Sequence, residues 1–529
     1  MVDNINVQNW VFPQIRESGS IYVDKTDYFY SLVKPRPSGS RVFFLARPRR
    51  FGKSLMISTL KAIFEGKREL FEGLAIAQED YDWQSWPVLH FDLSTALGVS
   101  YEEIENNFNG MANRELRAHP GFVEGESGAF NFGGVLEAYE AAGKQVVLLI
   151  DEYDALICHT LDDPAKCEKV RQLVGNFYAV MKGHQAAIRF AMITGISKFA
   201  SLAVFSGLNN IIDLTYDPDY ATMLGYTQVE LEANFGEHLD RRAQEMGLSK
   251  ADFMAELARW FNGYRFSIDS EESVYNPVAI ARTLASRSKY FEAQWTTTGR
   301  PSMLTTFLRR NELLELDFEK PIYAERADLE MASKLDNLAP ITVLYQTGYL
   351  TLQDYNPRSK RYLLKVPDAE ISEDLNAFLY ELVVDDNILR RKTRLHVGLE
   401  TLKPFLEQDL FDLYAQCVYG PTEKRIQEYN YQRILQVLFL SQGYEPVAEP
   451  VQASGKRADL VVKVFDLIYV FEFKTDGTTA EEALQQIKDR GYATPYLHDG
   501  RPIALVGLSF HKGQRELQGV AYELLPSLA

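Results

Sequence analysis

At 529 residues, 46% hydrophobic and 24% charged, the chain is longer than one hydrophobic core usually supports and too apolar for extended disorder, so two to four folded domains are expected. A formal net charge of −17 excludes a surface coated in positive potential and leaves any nucleic-acid contact to local patches. Cys158, Cys167 and Cys417 are too few and too scattered for a disulfide framework or a four-ligand zinc site, and they suit a reducing compartment. No apolar run approaches the roughly 18 residues of a spanning helix, and the start, MVDNINVQNW, lacks a signal-peptide pattern. A cytoplasmic protein with no membrane partner is therefore expected.

In chain order, the first 215 residues alternate helical stretches with short apolar runs: RVFFLA (41–46), PVLHFDL (87–93), QVVLLID (145–151) and IRFAMITG (188–195). Such alternation predicts an α/β fold with a parallel sheet, four strands buried on both faces under helices. Residues 221–300 turn helical, with YTQVELEANF, WFNGYRF and YNPVAIARTLA, in which Asn276 is a natural helix cap and Pro277 fits the first turn; a helical lid is expected. Residues 301–420 read as a helical connecting region interrupted by a hairpin of YLTLQDY and YLLKV. Residues 421–529 carry a helix, the runs RADLVVKVF and DLIYVFEFK, the helix EEALQQIKDRGYA and the strand RPIALVGLSF, a separate small mixed α/β domain of order α-β-β-α-β.

The first chemical motif is RPRRFGKS at 47–54, lying between the run RVFFLA and the helical LMISTLKAIF. Residues 11–60 hold nine Lys or Arg against three Asp or Glu, as an anion-handling segment should. In a strand–loop–helix setting Gly52 lets backbone amides curl around a phosphate, Lys53 reaches its terminal oxygens and Ser54 brings a hydroxyl to Mg²⁺ at a helix N-terminus. Arg49, Arg50 and Phe51 complete the loop, the two arginines offering guanidinium contacts to phosphate. Arg47 stands where G-x-x-x-x-G-K-[ST] has its first glycine. The second half of such a site is VVLLIDE, where Asp151 would hold Mg²⁺ and Glu152 would polarise the attacking water. Thr194, ending IRFAMITG, is placed to sense the γ-phosphate. The bland alternative makes Asp151 and Glu152 caps of the next helix and the three arginines a solvated loop.

LARPRRFGKSL, followed in order by LIDEYD, ITGISKF, FSGLNN and WFNGYRF, resembles the prokaryotic AAA-ATPase-like proteins over roughly residues 7–300. The resemblance implies a P-loop NTPase domain at 1–220 with ATP and Mg²⁺ as cofactors, and makes Arg47 a feature of the family. Arg265, in the lid, is a candidate sensor, with a surface arginine packed on Tyr264 or Phe266 as the equal alternative. The WTTTG stretch at 295–299 also resembles a family signature, without a mechanism attached.

In the last domain Asp459 opens a strand, and thirteen residues later Glu472 and Lys474 fall on one face of YVFEFK. A tight turn near Asp466 would bring Asp459 close to Glu472. Two carboxylates and a lysine suit metal-assisted phosphodiester cleavage, since hard oxygen ligands hold Mg²⁺ or Mn²⁺ and the lysine stabilises charge; a surface ion pair on an edge strand is the alternative. The order of elements resembles the PD-(D/E)XK nuclease superfamily over about 421–525, with Ala458 in place of the proline. That resemblance implies a restriction-endonuclease-like fold, Asp459 and Glu472 as metal ligands, Lys474 as catalytic lysine, and Glu428 and Gln486 as auxiliary positions, for which a solvated helix face is the alternative. Residues 421–529 hold 12 basic and 14 acidic residues, so the domain lacks a strong basic footprint; Lys456 and Arg457 are its best phosphate-contact candidates.

The sequence therefore predicts an ATP-binding protein whose nucleotide state regulates a nuclease, with nucleic acid as partner and a homo-oligomer or protein partner open. The competing expectation is a nucleotide-dependent switch or scaffold that binds nucleic acid or protein without cutting. A role in defence against phage follows only from the pairing of domains.

Overall fold

The computed structural model describes residues 5–7, 10–34, 41–198, 211–294, 304, 321–330, 339–383, 396–416, 428–448, 450, 457–475, 477–511 and 516–527. FSGLNN at 205–210, WTTTG at 295–299, Cys417 and Lys456 lie outside them, as does the side chain of Glu428. The chain divides into two compact units, Met1–Asn311 with Asp317–Ile371, and Glu312–Leu316 with Ser372–Ala529.

The first unit is built on a wholly parallel five-stranded sheet of β1 (Val42–Ala46), β2 (Val88–Asp92), β3 (Val146–Asp151), β4 (Ile188–Gly195) and β5 (Ile211–Asp213), in the order β2-β3-β4-β1-β5. All four expected strands are present. β1 and β3 are buried at every position, which is why their sequences are unbroken apolar runs. The fifth strand goes beyond the four expected: Ile211 and Ile212 pair with β1, but three residues are too few to show a period. Helices Tyr101–Leu116, Gly128–Ala141 and Pro164–Gly183 cover the β2–β3 side, where Phe91, Phe108, Phe132 and Phe177 meet edge-on or stacked at centroid distances of 4.5–5.5 Å.

Parallel strands point all their carboxyl ends the same way, so the loops after β1, β3 and β4 share one edge of the sheet, with Ala46 opposite Gly195 and Ile150 opposite Ile193. Over residues 221–300 the helices Gln228–Met246, Lys250–Phe261 and Pro277–Ala285 pack around Leu231, Phe235, Leu257, Phe261 and Leu284. The first is set by a Thr227/Glu230 capping box, the third by Asn276, whose side chain accepts from the amides of Val278 and Ala279. The expected hairpin is β7 (Thr351–Asn356) with β8 (Arg361–Lys365), extended by β6 (Ile322–Ala324) into a sheet of order β6-β8-β7.

The second unit carries a mixed sheet of β9 (Val447–Ala448), β10 (Leu460–Lys463), β11 (Ile468–Lys474), β12 (Ile503–Phe510) and β13 (Leu517–Leu525), in the order β13-β12-β11-β10-β9. β11 and β12 run parallel and the other pairs antiparallel. The expected α-β-β-α-β order holds, with β9 and β13 added at the two edges. Helix Ala480–Arg490 lies hard against this sheet: a Cβ at Gly507 on β12 would sit 2.2 Å from the carbonyl of Ala480, so only glycine admits the approach.

Candidate functional site

The loop leaving β1 turns on two left-handed residues, Arg50 at φ 69° and Gly52 at φ 96°, and Gly52 caps helix Lys53–Phe64. Lys53 is buried, and its Nζ donates to the carbonyls of Arg47 (2.8 Å) and Pro48 (2.9 Å), holding the loop curled around its own lysine. Burial lowers the Lys53 pKa, and the nearby Glu152 carboxylate opposes that shift. Ser54, exposed in the first helical turn, stands beside it.

At the end of β3, the Asp151 carboxylate accepts from the Thr194 hydroxyl on β4 and from the Glu152 amide at 3.0 Å, so neighbouring strands aim the expected acid and the expected sensor at each other. Glu152 adopts φ 50°, and burial raises its carboxyl pKa against the pull of Lys53. Neither acid caps the following helix Ala155–His159, which disposes of the bland alternative for them; its N-cap is Asp154, and that side chain makes no cap bond either. Asp154 instead accepts from the amide (2.8 Å) and hydroxyl of Ser197, tying the end of β3 to the chain beyond β4. The sequence reading missed Asp154, because nothing local distinguishes it from a helix cap.

A cavity of about 400 Å³ opens from this loop toward the lid, within the roughly 300–1,000 Å³ of small-ligand sites. Arg49, Gly52, Lys53, Ser54 and Glu152 line it, together with Tyr22, Val23, Leu224, Tyr226 and Val278. It is therefore cationic on one wall and apolar on another, which fits a nucleotide with its phosphates on the loop and its base on the apolar wall. Arg282 on helix Pro277–Ala285 also lines it, a residue that sequence reasoning passed over as one more charge on a lid helix. Arg50 and Arg282 both donate to the carbonyl of Gln294, whose amide donates to Glu370. Burial and then the neighbouring Arg282 pull the Arg50 pKa down to about 10, as two crowded guanidinium groups should.

Arg47 and Arg265 lie elsewhere. Arg47 is 1% exposed, not solvated, and donates to the carbonyls of Ala46, Thr215 and Tyr220. Arg265 does not line the cavity, which corrects its reading as a sensor: its guanidinium donates to the carbonyls of Ser270, Ile268 and Gln353, folding it onto its own turn and β7. Phe51 borders the cavity, while its ring meets Tyr264 and Phe266 edge-on.

In the second unit the turn between β10 and β11 closes through Val464 and Leu467, and the register Leu460↔Phe471 runs on to set Asp459 beside Glu472. Asp459 Oδ2 accepts from the amide of Phe473 at 2.7 Å. Glu472 is 2% exposed and its Oε1 accepts from Lys474 Nζ at 2.7 Å and from Gln486 Nε2. The structure thus brings together Asp459, Glu472, Lys474 and Gln486, and the last is no solvated helix position. Gln432, unremarked in the sequence, donates to the Asp459 carbonyl at 2.7 Å from helix Glu428–Ser441, which Glu428 opens. Tyr492 packs in the core beside Ile487. Among the described residues no three His, Cys, Asp or Glu side chains gather as a metal cluster, so the hard-oxygen ligands this site offers are Asp459 and Glu472. A two-carboxylate donor set with a lysine beside it fits a divalent cation that keeps part of its water.

Among the described residues no helix is long and apolar enough to cross a membrane. The predicted AAA-ATPase family matches residues 4–205, and the PD-(D/E)XK nuclease superfamily matches residues 426–518. The uncharacterised protein in the vnfD 5′ region of Azotobacter chroococcum mcd 1 is 31% identical over 531 residues, covering 97% of this chain and 98% of that one. Similar solved structures include Cdc6p from Pyrobaculum aerophilum, at 14% identity and TM-score 0.27 over 71% of this chain and 95% of that one. The Aeropyrum pernix ORC1 protein in complex with DNA follows, at 11% identity and TM-score 0.26 over 69% and 96%. With a relative similar from end to end and both domains matched in order, the chain belongs to the predicted AAA-ATPase family that carries a C-terminal PD-(D/E)XK nuclease superfamily domain.

Proposed function

We propose that the first unit binds and hydrolyses Mg²⁺-ATP and that its nucleotide state regulates metal-dependent cleavage of nucleic-acid phosphodiesters by the second. The observation that carries the nucleotide half is the cavity on which Lys53, Ser54, Glu152, Arg49 and Arg282 converge, backed by the Asp151–Thr194 pair. Lys53 Nζ exchanges the carbonyls of Arg47 and Pro48 for terminal phosphate oxygens. Arg49 and Arg282 approach the same oxygens from the loop and from the lid. Ser54 and Asp151 hold Mg²⁺, and Glu152, with its raised affinity for a proton, takes one from the attacking water. In the second unit Asp459 and Glu472 hold the cation, and Lys474, steadied by Glu472, stabilises charge on the phosphate. The bound divalent ion supplies Lewis-acid charge and an acidified water.

Support for regulation comes from Glu370, which joins the Arg50–Arg282–Gln294 network and stands in the first turn of helix Ala369–Val383, along which the chain leaves the first unit. The test is cleavage of circular and linear DNA and RNA in Mg²⁺ or Mn²⁺, with and without ATP, by the full chain and by Lys53→Ala and Glu472→Ala. Cutting lost in Glu472→Ala and altered by ATP in the parent but not in Lys53→Ala is the expected result. No cutting under any condition refutes the nuclease half. The near-neutral balance of residues 421–529 favours, as second reading, a nucleotide-dependent switch or scaffold that binds a protein partner without cutting nucleic acid.

A further inference from the structure

The turn within WFNGYRF touches the phosphate loop from behind. The Arg47 guanidinium lies over the Phe266 ring, 4.2 Å from its centroid, while its nitrogens hold the carbonyls of Ala46, Thr215 and Tyr220. The Phe51 ring meets Tyr264 at 4.7 Å and 70° and Phe266 at 5.2 Å and 86°. Two of the eight residues of RPRRFGKS are thus gripped by two rings of one turn.

That turn is itself held at Gly263, Tyr264 and Arg265. Gly263 has φ 132°, and a Cβ there would lie 2.0 Å from the Pro367 carbonyl. The Tyr264 hydroxyl donates to Gly348, the Arg265 amide to Thr351 Oγ1, and the Arg265 guanidinium to three carbonyls. From the turn a short backbone path leads to the opposite wall of the cavity. Tyr264 bridges to Val274 and Tyr275 to Tyr226, and Asn276 then caps the helix that bears Arg282.

The geometry points to a latch: we propose that Tyr264 and Phe266 are positioning residues that set the spacing between the phosphate loop and Arg282, so that ATP affinity depends on two rings that touch no phosphate. Arg47 belongs to the same device. A loop of glycine pattern wraps phosphate through its own flexibility, whereas this one is held in shape by an arginine pressed onto an aromatic ring. The inference rests on the ATP reading for its ligand, but not for its geometry.

The test uses the full chain and Mg²⁺-ATP in a calorimetric titration of the parent, Phe266→Leu, Phe266→Tyr, Arg282→Ala and the Phe266→Leu/Arg282→Ala double variant. Loss of the ring face in Phe266→Leu is expected to weaken ATP binding about tenfold, and Phe266→Tyr, which keeps the ring, to restore it. Arg282→Ala is expected to weaken binding in the parent and to do little more in Phe266→Leu, because the latch is what brings Arg282 into place. Amide exchange of residues 47–53 in the nucleotide-free chain should quicken in Phe266→Leu and recover in Phe266→Tyr, with exchange in β3 unchanged. Full additivity of the two substitutions overturns the latch, as does unchanged exchange in the loop. A parent chain that takes no ATP refutes the nucleotide reading instead, and the exchange comparison then decides the latch alone.

Discussion

Arg47→Gly would restore the glycine at the head of the phosphate loop and complete the G-x-x-x-x-G-K-[ST] pattern, so the pattern alone predicts a neutral or helpful change. The structure predicts the opposite. Arg47 is 1% exposed, and two of its three hydrogen bonds, to Ala46 and Thr215, are wholly buried. Leaving a buried acceptor without its donor costs about 1–3 kcal/mol. Loss of the contact with Phe266 adds about 1–2 kcal/mol, and the freedom of glycine about 0.5–1 kcal/mol. Against this stands the cost of burying a cation, which draws the Arg47 pKa down from 12.5 to about 10 and offsets about 3 kcal/mol. The balance is a destabilisation of about 3 kcal/mol, read as a fall of roughly 5 °C in the thermal midpoint of the first unit. ATP binding, followed by calorimetry, should weaken at least about tenfold because the loop loses its rear support. An unchanged midpoint with unchanged or tighter ATP binding would refute this account of the loop.

On the proposed reading Glu152 would set the acid side of the ATPase profile: burial raises its carboxyl above the usual 4.5, so hydrolysis should fall with a midpoint above that value as pH drops. The same shift favours the protonated form in the folded chain, a contribution present below the ordinary pKa and lost as pH rises through the raised one. Glu152→Gln should accordingly raise the thermal midpoint at pH 8 relative to pH 5 while abolishing turnover. Asp154→Asn keeps one acceptor for Ser197 but loses the charge, and should cost about 2 kcal/mol in denaturant titration and slow hydrolysis with ATP affinity little changed. Lys474→Met removes a cation 2.7 Å from Glu472, so Mn²⁺ should bind more tightly by titration. Cleavage should nonetheless drop about a hundredfold or more in a plasmid assay, a split that a merely structural lysine would not produce.

What was legible in the sequence follows from how local each signal is. β1, β3 and β4 announce themselves because burial on both faces demands unbroken apolar runs, β2, at the sheet edge and buried only at alternate positions, because Leu89 and Phe91 alternate with His90 and Asp92, and Lys53, Ser54, Asp151 and Glu152 because a phosphate loop and an acidic strand end are short-range patterns. β5 has three residues and β9 two, below any period, and β13 is an edge strand in which only Leu517 is buried, so its residues show no clean period. Arg47, Arg265 and Arg282 look alike in sequence. Their partners sort them: Arg47 binds Thr215 at a separation of 168 residues, Arg265 binds Gln353 at 88, and Arg282 faces a cavity whose other wall is the loop. A guanidinium's role is decided by which carbonyls the fold delivers to it, and that is tertiary information.

The two sites, unlike in fold, hold their lysines by the same means. Lys53 is satisfied by two backbone carbonyls and Lys474 by the Glu472 carboxylate, so each ammonium is already fixed in place. A phosphate group must therefore exchange for an acceptor that the protein supplies, and the net gain is the difference between two hydrogen bonds, not a whole one. The exchange differs in kind at the two sites. At Lys53 neutral carbonyls would give way to a dianionic terminal phosphate, which favours tight binding of nucleotide. At Lys474 a carboxylate competes with a phosphodiester of equal charge, so the lysine would be free to reach a phosphate only where Asp459 and Glu472 held a divalent cation. On the proposed reading, cutting would then depend on whether Glu472 is shared with a metal or spent on Lys474.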